Sequence, residues 1–173
     1  LIRVRVSSLE EAEADAVLRP VSSELLGVTA GSRAVELTAG AAVRERLEAL
    51  GTLPLGGAVV TPGGGLRVEF LIHVVIQSAE EPVTEAGVRK ALLNGLRRAT
   101  EWGVETLAVP LLGAGAGNLE PEVAARIVVR LAAEHGGRHE RPSEVTVVVA
   151  NGYEEEAVRS TLVHLGQVPG GNG

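Results

Sequence analysis

Short runs rich in Val, Ile and Leu recur along the chain, separated by longer stretches in which apolar residues return every three or four positions. The first kind predicts strands and the second amphipathic helices. The strand runs fall at residues 2–6, 15–18, 58–61, 68–76, 105–110 and 145–150. The last two are almost wholly apolar, as strands buried on both faces of a sheet are.

The first helix is expected from a Ser32 cap to about Leu50, with Val35, Ala39, Val43, Leu47 and Leu50 on one face and Gly51 as its stop. A second runs from Thr84 to Trp102 and ends at Gly103, with Val88, Leu92, Leu96 and Ala99 turned inward. A third opens with Pro121 in its first turn and reaches His135, before Gly136 and Gly137. A fourth covers about 154–165. Strands and helices alternate except at 58–61 and 68–76, whose close spacing predicts a hairpin. The fold class is therefore α/β, with helices on both faces of a mixed sheet. Residues 1–166 are expected to form one domain and the Pro- and Gly-rich stretch 167–173 a flexible tail.

Composition narrows the function classes. With no Cys, disulfides, thiolate metal sites and thiol nucleophiles are excluded. A formal charge of −6 and a single Lys, Lys90, oppose nucleic-acid binding, which needs clustered cations. No apolar run approaches the roughly 20 residues that span a bilayer, so no membrane partner and a cytoplasmic location are expected. Arg and Glu in plenty beside so little Lys and Asp suit a GC-rich genome and a thermophile. Aromatic residues make up 2%, which leaves few platforms for stacking a base.

The strongest chemical signal is the run Gly113-Ala114-Gly115-Ala116-Gly117-Asn118 between the strand ending at Pro110 and the helix opening at Pro121. A Gly-rich strand-to-helix loop turns backbone N–H groups inward, and the helix N-terminus adds unsatisfied donors, so phosphate is attracted without a cation. The same glycines would also let a helix pack closely on a sheet. A P-loop is excluded because no Gly-Lys-Ser/Thr follows, and the GxGxxG spacing of dinucleotide folds fails.

Around this loop the chain resembles the macro domains, a family that binds ADP-ribose and related nucleotides. Asp15-Ala16-Val17-Leu18 is similar to the family's D-A-I-V strand, and Leu25-Leu26-Gly27 through Gly40 to its LLGGGGVDGAIHRAAG stretch. Thr61-Pro62-Gly63 with 70–75 resembles T-x-G…Y-V-I-H-T-V, Val109-Pro110 with the glycine loop resembles F-P…S-T-G-V-Y-G, and 147–153 resembles the closing strand. The resemblance implies three layers with a mixed six-stranded sheet and a ligand crevice at the strand ends. It also implies that 113–118 wraps the pyrophosphate and distal ribose. Gly27, Val28, Thr29, Ala30 and Gly31 would form the opposing wall, and Ser8 would lie where the family has an Asp for the adenine amine.

Departures accompany the matches. Where hydrolytic members carry N-A-A-N, this chain has Arg19-Pro20-Val21-Ser22; Val28-Thr29-Ala30 replaces the Gly run, and residues 113–117 lack an aromatic. The reading is binding of ADP-ribose or a related phosphorylated nucleotide, with no catalytic residue, cofactor or metal assigned. Its alternatives are a degenerate fold that binds a partner, the pocket filled by Val21, Val28 or Leu119, and an ADP-ribosyl or phosphate hydrolase. Arg19 is a candidate to contact phosphate in place of the missing Asn.

Other polar residues have plainer readings. Ser22 borders the expected site and, like Ser23, fits a loop cap, and His73 fits a hydrogen-bonded core position. Gly136 and Gly137 separate His135 and His139 and break the helical face that a metal pair would need. Asn151 either meets a ribose or base edge or caps the next turn.

Overall fold

Alternation in Ile2-Arg3-Val4-Arg5-Val6 puts Ile2 and Val4 on one face of the first strand and both arginines on the other. In the computed structural model, which describes residues 1–115 and 118–167, this segment is β1 (Ile2–Val6). The other strands are β2 (Ala16–Ser22), β3 (Ala58–Pro62), β4 (Phe70–Gln77), β5 (Thr106–Pro110) and β6 (Glu144–Val149). They form one six-stranded sheet in the order β1-β6-β5-β2-β4-β3. Every neighbouring pair is parallel except β3 with β4, the expected hairpin, where Ala58 faces Val74 and Pro62 faces Phe70.

Helices α1 (Ala30–Ala39) and α2 (Ala41–Leu50), with a 3-10 turn at Leu9–Glu11, cover one face; α3 (Glu85–Glu101), α4 (Pro121–Gly136) and α5 (Gly152–His164) cover the other. The larger core lies on the α3, α4 and α5 side, with Leu18, Ile72, Leu92, Leu96, Leu107 and Leu162 buried. Each such side chain contributes about 1.5–3 kcal/mol by leaving water. The smaller core, with Val17, Val21, Val35, Leu47 and Val75, lies under α1 and α2. No helix among the described residues is long and apolar enough to cross a membrane.

Two sequence expectations are corrected. The helix expected from Ser32 to Leu50 is two helices, parted at Gly40 with φ +95°, and the cap is Thr29, whose side chain accepts from the Ser32 N–H. Apolar spacing alone hid the break, because Ala39, Val43 and Leu47 keep their four-residue period across it. The second strand, expected to end at residue 18, continues through Arg19-Pro20-Val21-Ser22.

Asp15 fixes the start of β2. Its carboxylate accepts from the Glu105 and Thr106 N–H groups at 2.9 and 3.1 Å, and its carbonyl accepts from Glu69 and Phe70. One residue, through its carboxylate to β5 and its backbone carbonyl to β4, thus ties three neighbouring strands where they enter the sheet.

Candidate functional site

The site opens where β2 and β5 part. They pair only at Ala16 with Leu107 and Val17 with Ala108. Further along, the Pro20 carbonyl accepts from Ser32 Oγ at 2.7 Å and the Val28 N–H at 3.4 Å, away from β4. N–H and C=O of one strand residue point the same way, so the N–H that proline lacks would have faced β5. The ladder cannot continue, and a cleft of about 800 Å3 opens at the carboxyl ends of β1, β2, β5 and β6, with Pro20 and Pro110 both on its wall. Crevices at this end of parallel strands are where α/β folds receive ligands.

One wall is the N-terminus of α1. Thr29 Oγ1 satisfies the Ser32 N–H and the Thr29 carbonyl takes the Arg33 N–H. The N–H groups of Ala30 and Gly31, both lining the cleft, have no acceptor among the described residues. Opposite stands Gly115, at φ +76°, where a Cβ would lie 3.9 Å from Thr29 Cγ2. The glycine loop and the α1 N-terminus therefore face each other across a gap of van der Waals width. The Ala114 N–H is already taken by the Leu111 carbonyl at 3.1 Å, so this loop offers fewer free donors than an open nest would.

Of the residues expected at the site, Ser8, Thr29, Ala30, Gly31, Ala114 and Gly115 line the cleft. Ala116 and Gly117 lie outside the described residues. The others have local duties. Ser22 Oγ accepts from the Leu26 N–H, and Asn118 Nδ2 donates to the Val83 carbonyl. A Cβ on Gly27 would come within 2.9 Å of the Arg33 nitrogen, and one on Gly113 within 2.5 Å of Leu119 Cδ1, so both glycines permit close packing. Asn151 caps α5, its Oδ1 accepting from the Glu154 N–H at 2.9 Å. Val21 is fully buried under α1, while Val28 and Leu119 pack on the other core; none of the three blocks the cleft.

Arg19 does not reach the cleft; it is fully buried on the α1 side of β2. Its Nε donates to His73 Nδ1 at 2.8 Å, and its terminal nitrogens donate to Glu36, the Ser32 carbonyl and the Leu25 carbonyl at 3.3–3.4 Å. Because Nδ1 accepts, the His73 proton is on Nε2, which donates to Thr61 Oγ1 at 2.8 Å; Thr61 in turn donates to the Pro62 carbonyl. Burial, with Arg19 beside it, holds His73 well below its ordinary pKa, so it stays neutral. Burial also lowers Arg19, opposed by Glu36. Leu25, held at φ +67°, is the strained residue of the loop that leads to α1, and its carbonyl is one of those Arg19 holds. The network thus anchors the cleft wall from behind.

Sequence reasoning missed Ser7, Glu10, Glu11, Pro110, Ala150 and Glu154 on the lining. The carboxyl ends of the three parallel strands β1, β5 and β6 were the available signal. Among the described residues the lining holds three carboxylates and no Lys, Arg or His. Any attraction for an anion here is therefore left to backbone dipoles. His135 and His139, expected to be kept off one face by Gly136 and Gly137, instead stack at 4.2 Å between ring centroids, outside this lining. The Tyr153 hydroxyl donates to Glu122, which lowers the carboxyl and raises the phenol from their ordinary pKa values.

Fold and cleft together define a three-layer α/β protein with a crevice at the carboxyl ends of its parallel strands. A family model described as Macro domain matches residues 20–128. An uncharacterized protein of Aeropyrum pernix is 31% identical, the match covering 98% of this chain and 92% of that one. Among solved structures, an Oceanobacillus iheyensis macrodomain with ADP superposes with a TM-score of 0.83 at 18% identity, covering 94% of this chain and 90% of that one. A Trypanosoma brucei macrodomain in complex with ADP-ribose gives 0.84 at 16%, covering 93% and 68%. The chain belongs to the macro domain family.

Proposed function

We propose that the cleft binds ADP-ribose or a closely related phosphorylated nucleotide, with its phosphates over the α1 N-terminus and beside the loop at Gly115. The observation that carries this reading is the facing pair of Gly115 and Thr29, which brings the unengaged N–H groups of Ala30 and Gly31 to one point. A helix N-terminus stabilises an anion there without a cationic side chain. The ADP and ADP-ribose held by the two macrodomains above support the choice of ligand. Binding is proposed ahead of turnover, because Arg19-Pro20-Val21-Ser22 continues β2 where hydrolytic members carry N-A-A-N.

Calorimetric titration with ADP-ribose tests the reading, repeated on Gly115→Glu, which puts a carboxylate where the phosphates would sit. Binding by the parent that vanishes in a folded variant is the expected result. No heat and no thermal shift with millimolar ADP-ribose, ADP or AMP would remove nucleotide binding and leave the partner-binding alternative.

A further inference from the structure

A second hollow, of about 520 Å3, adjoins the cleft and shares Val6, Ser7, Glu11 and Val148 with it. Its floor is the α1-side face of β1, β6 and β5, provided by Arg5, Thr146, Val148 and Ala108. Parallel strands normally have both faces covered. Here α1 packs on β2 and on the 3-10 turn, which leaves this end of the sheet without a helix. Charged residues on an edge strand ordinarily serve only to discourage strand pairing. Arg5 differs, because it lies inside a walled space that runs on into the ligand cleft.

The charges facing that space are Arg5, Arg67, Glu11 and Glu13. Arg67 and Glu13 neutralise each other at 2.9 Å. Arg5 has no ion pair or side-chain hydrogen bond among the described residues. Glu11 stands where the two spaces join and opposes an incoming anion.

The geometry points to the hollow as a second anion subsite, in which Arg5 receives a phosphate carried by the nucleoside end of the bound nucleotide. This rests on the proposed function together with the adenine placement at Ser8 that the family resemblance implies, which sets the adenosine beside the shared wall at Val6 and Ser7. The preferred ligand is then a nucleotide with a further phosphate on its adenosine ribose.

Titrations at low ionic strength with ADP-ribose and with its adenosine-ribose 2′- and 3′-phosphates decide the matter. One of the phosphorylated forms should bind about tenfold tighter than ADP-ribose, the worth of a charge-assisted contact. In Arg5→Gln that advantage should disappear while ADP-ribose affinity stays; in Glu11→Gln the phosphorylated form should gain. Arg5 is exposed, so folding of its variant is not at risk. Equal binding of all three ligands, or an advantage that survives Arg5→Gln, overturns the subsite and leaves nucleotide binding intact. Failure of all three ligands to bind overturns both.

Discussion

Arg19 Nε and His73 Nδ1 meet at 2.8 Å between β2 and β4, at positions that also face each other in the strand register. A guanidinium in the centre of a sheet is costly to desolvate and is kept only where its donors find partners. Its partners belong to β4, to the loop before α1 and to α1 itself, so one side chain fastens the cleft wall to the sheet.

Arg19→Met is therefore expected to cost about 3–5 kcal/mol, because it strands the His73 acceptor and frees the Glu36 carboxylate. Urea unfolding measures it. A loss below about 1 kcal/mol would show that packing alone holds this wall.

Stability should also fall with pH on the acid side. His73 has its pKa depressed in the folded state by burial and by Arg19. Below the unfolded value of 6.5 the unfolded chain takes up a proton that the native chain refuses. The contribution is complete above that pH and declines below it, with a limiting slope of about 1.4 kcal/mol per pH unit. His135, also depressed, adds to the slope. Unfolding free energies from pH 7.5 to 5 should flatten in His73→Gln; an unchanged slope would assign the effect to other groups.

How far the sequence shows this follows from the range of each interaction. Strand and helix identities rest on neighbours a few residues apart and were legible; Thr29, Ala30, Gly31 and Gly115 line the cleft, and their part in binding belongs to the proposal. Arg19 was not legible: its partner His73 is 54 positions away, and Arg-Pro inside a short apolar run reads as the end of a strand. The prolines that part β2 from β5 were likewise visible as residues, but their effect depends on which neighbours those strands have, and strand order is absent from local pattern.

Two glycines should respond oppositely to alanine. A Cβ on Gly95 would lie 2.6 Å from Leu18 Cδ1 and 2.9 Å from Val74 Cγ1, where α3 rests on the sheet; overpacking there should cost about 1–3 kcal/mol. At Gly136, in the last turn of α4, a Cβ meets nothing within 4 Å, so alanine should stabilise by about 0.4–1 kcal/mol. Melting temperatures moving in opposite directions would support both assignments.

Asn151→Ala separates a cap from a ligand contact. Loss of the bond to the Glu154 N–H should lower stability by about 1 kcal/mol. ADP-ribose affinity should not change. A selective loss of affinity in calorimetry would instead place the Asn151 amide at the ligand.

Ser8→Asp asks whether the missing adenine carboxylate can be restored. Ser8 precedes the 3-10 turn, makes no side-chain cap there, and lines the cleft. A carboxylate accepting from the exocyclic amine gains about 1.5–3 kcal/mol, as charged hydrogen bonds do. Against this, it adds a negative charge beside Glu10 and Glu11 in a cleft that must also admit phosphates. Exposed like charges a few ångströms apart cost about 1 kcal/mol in water and less as salt rises. The net expectation is a several-fold tighter grip on ADP-ribose that grows with ionic strength, and no gain for the hypoxanthine analogue, which lacks the amine. Equal gains for both bases would mean that the new carboxylate acts on the ribose or on the loop, and that the adenine lies elsewhere.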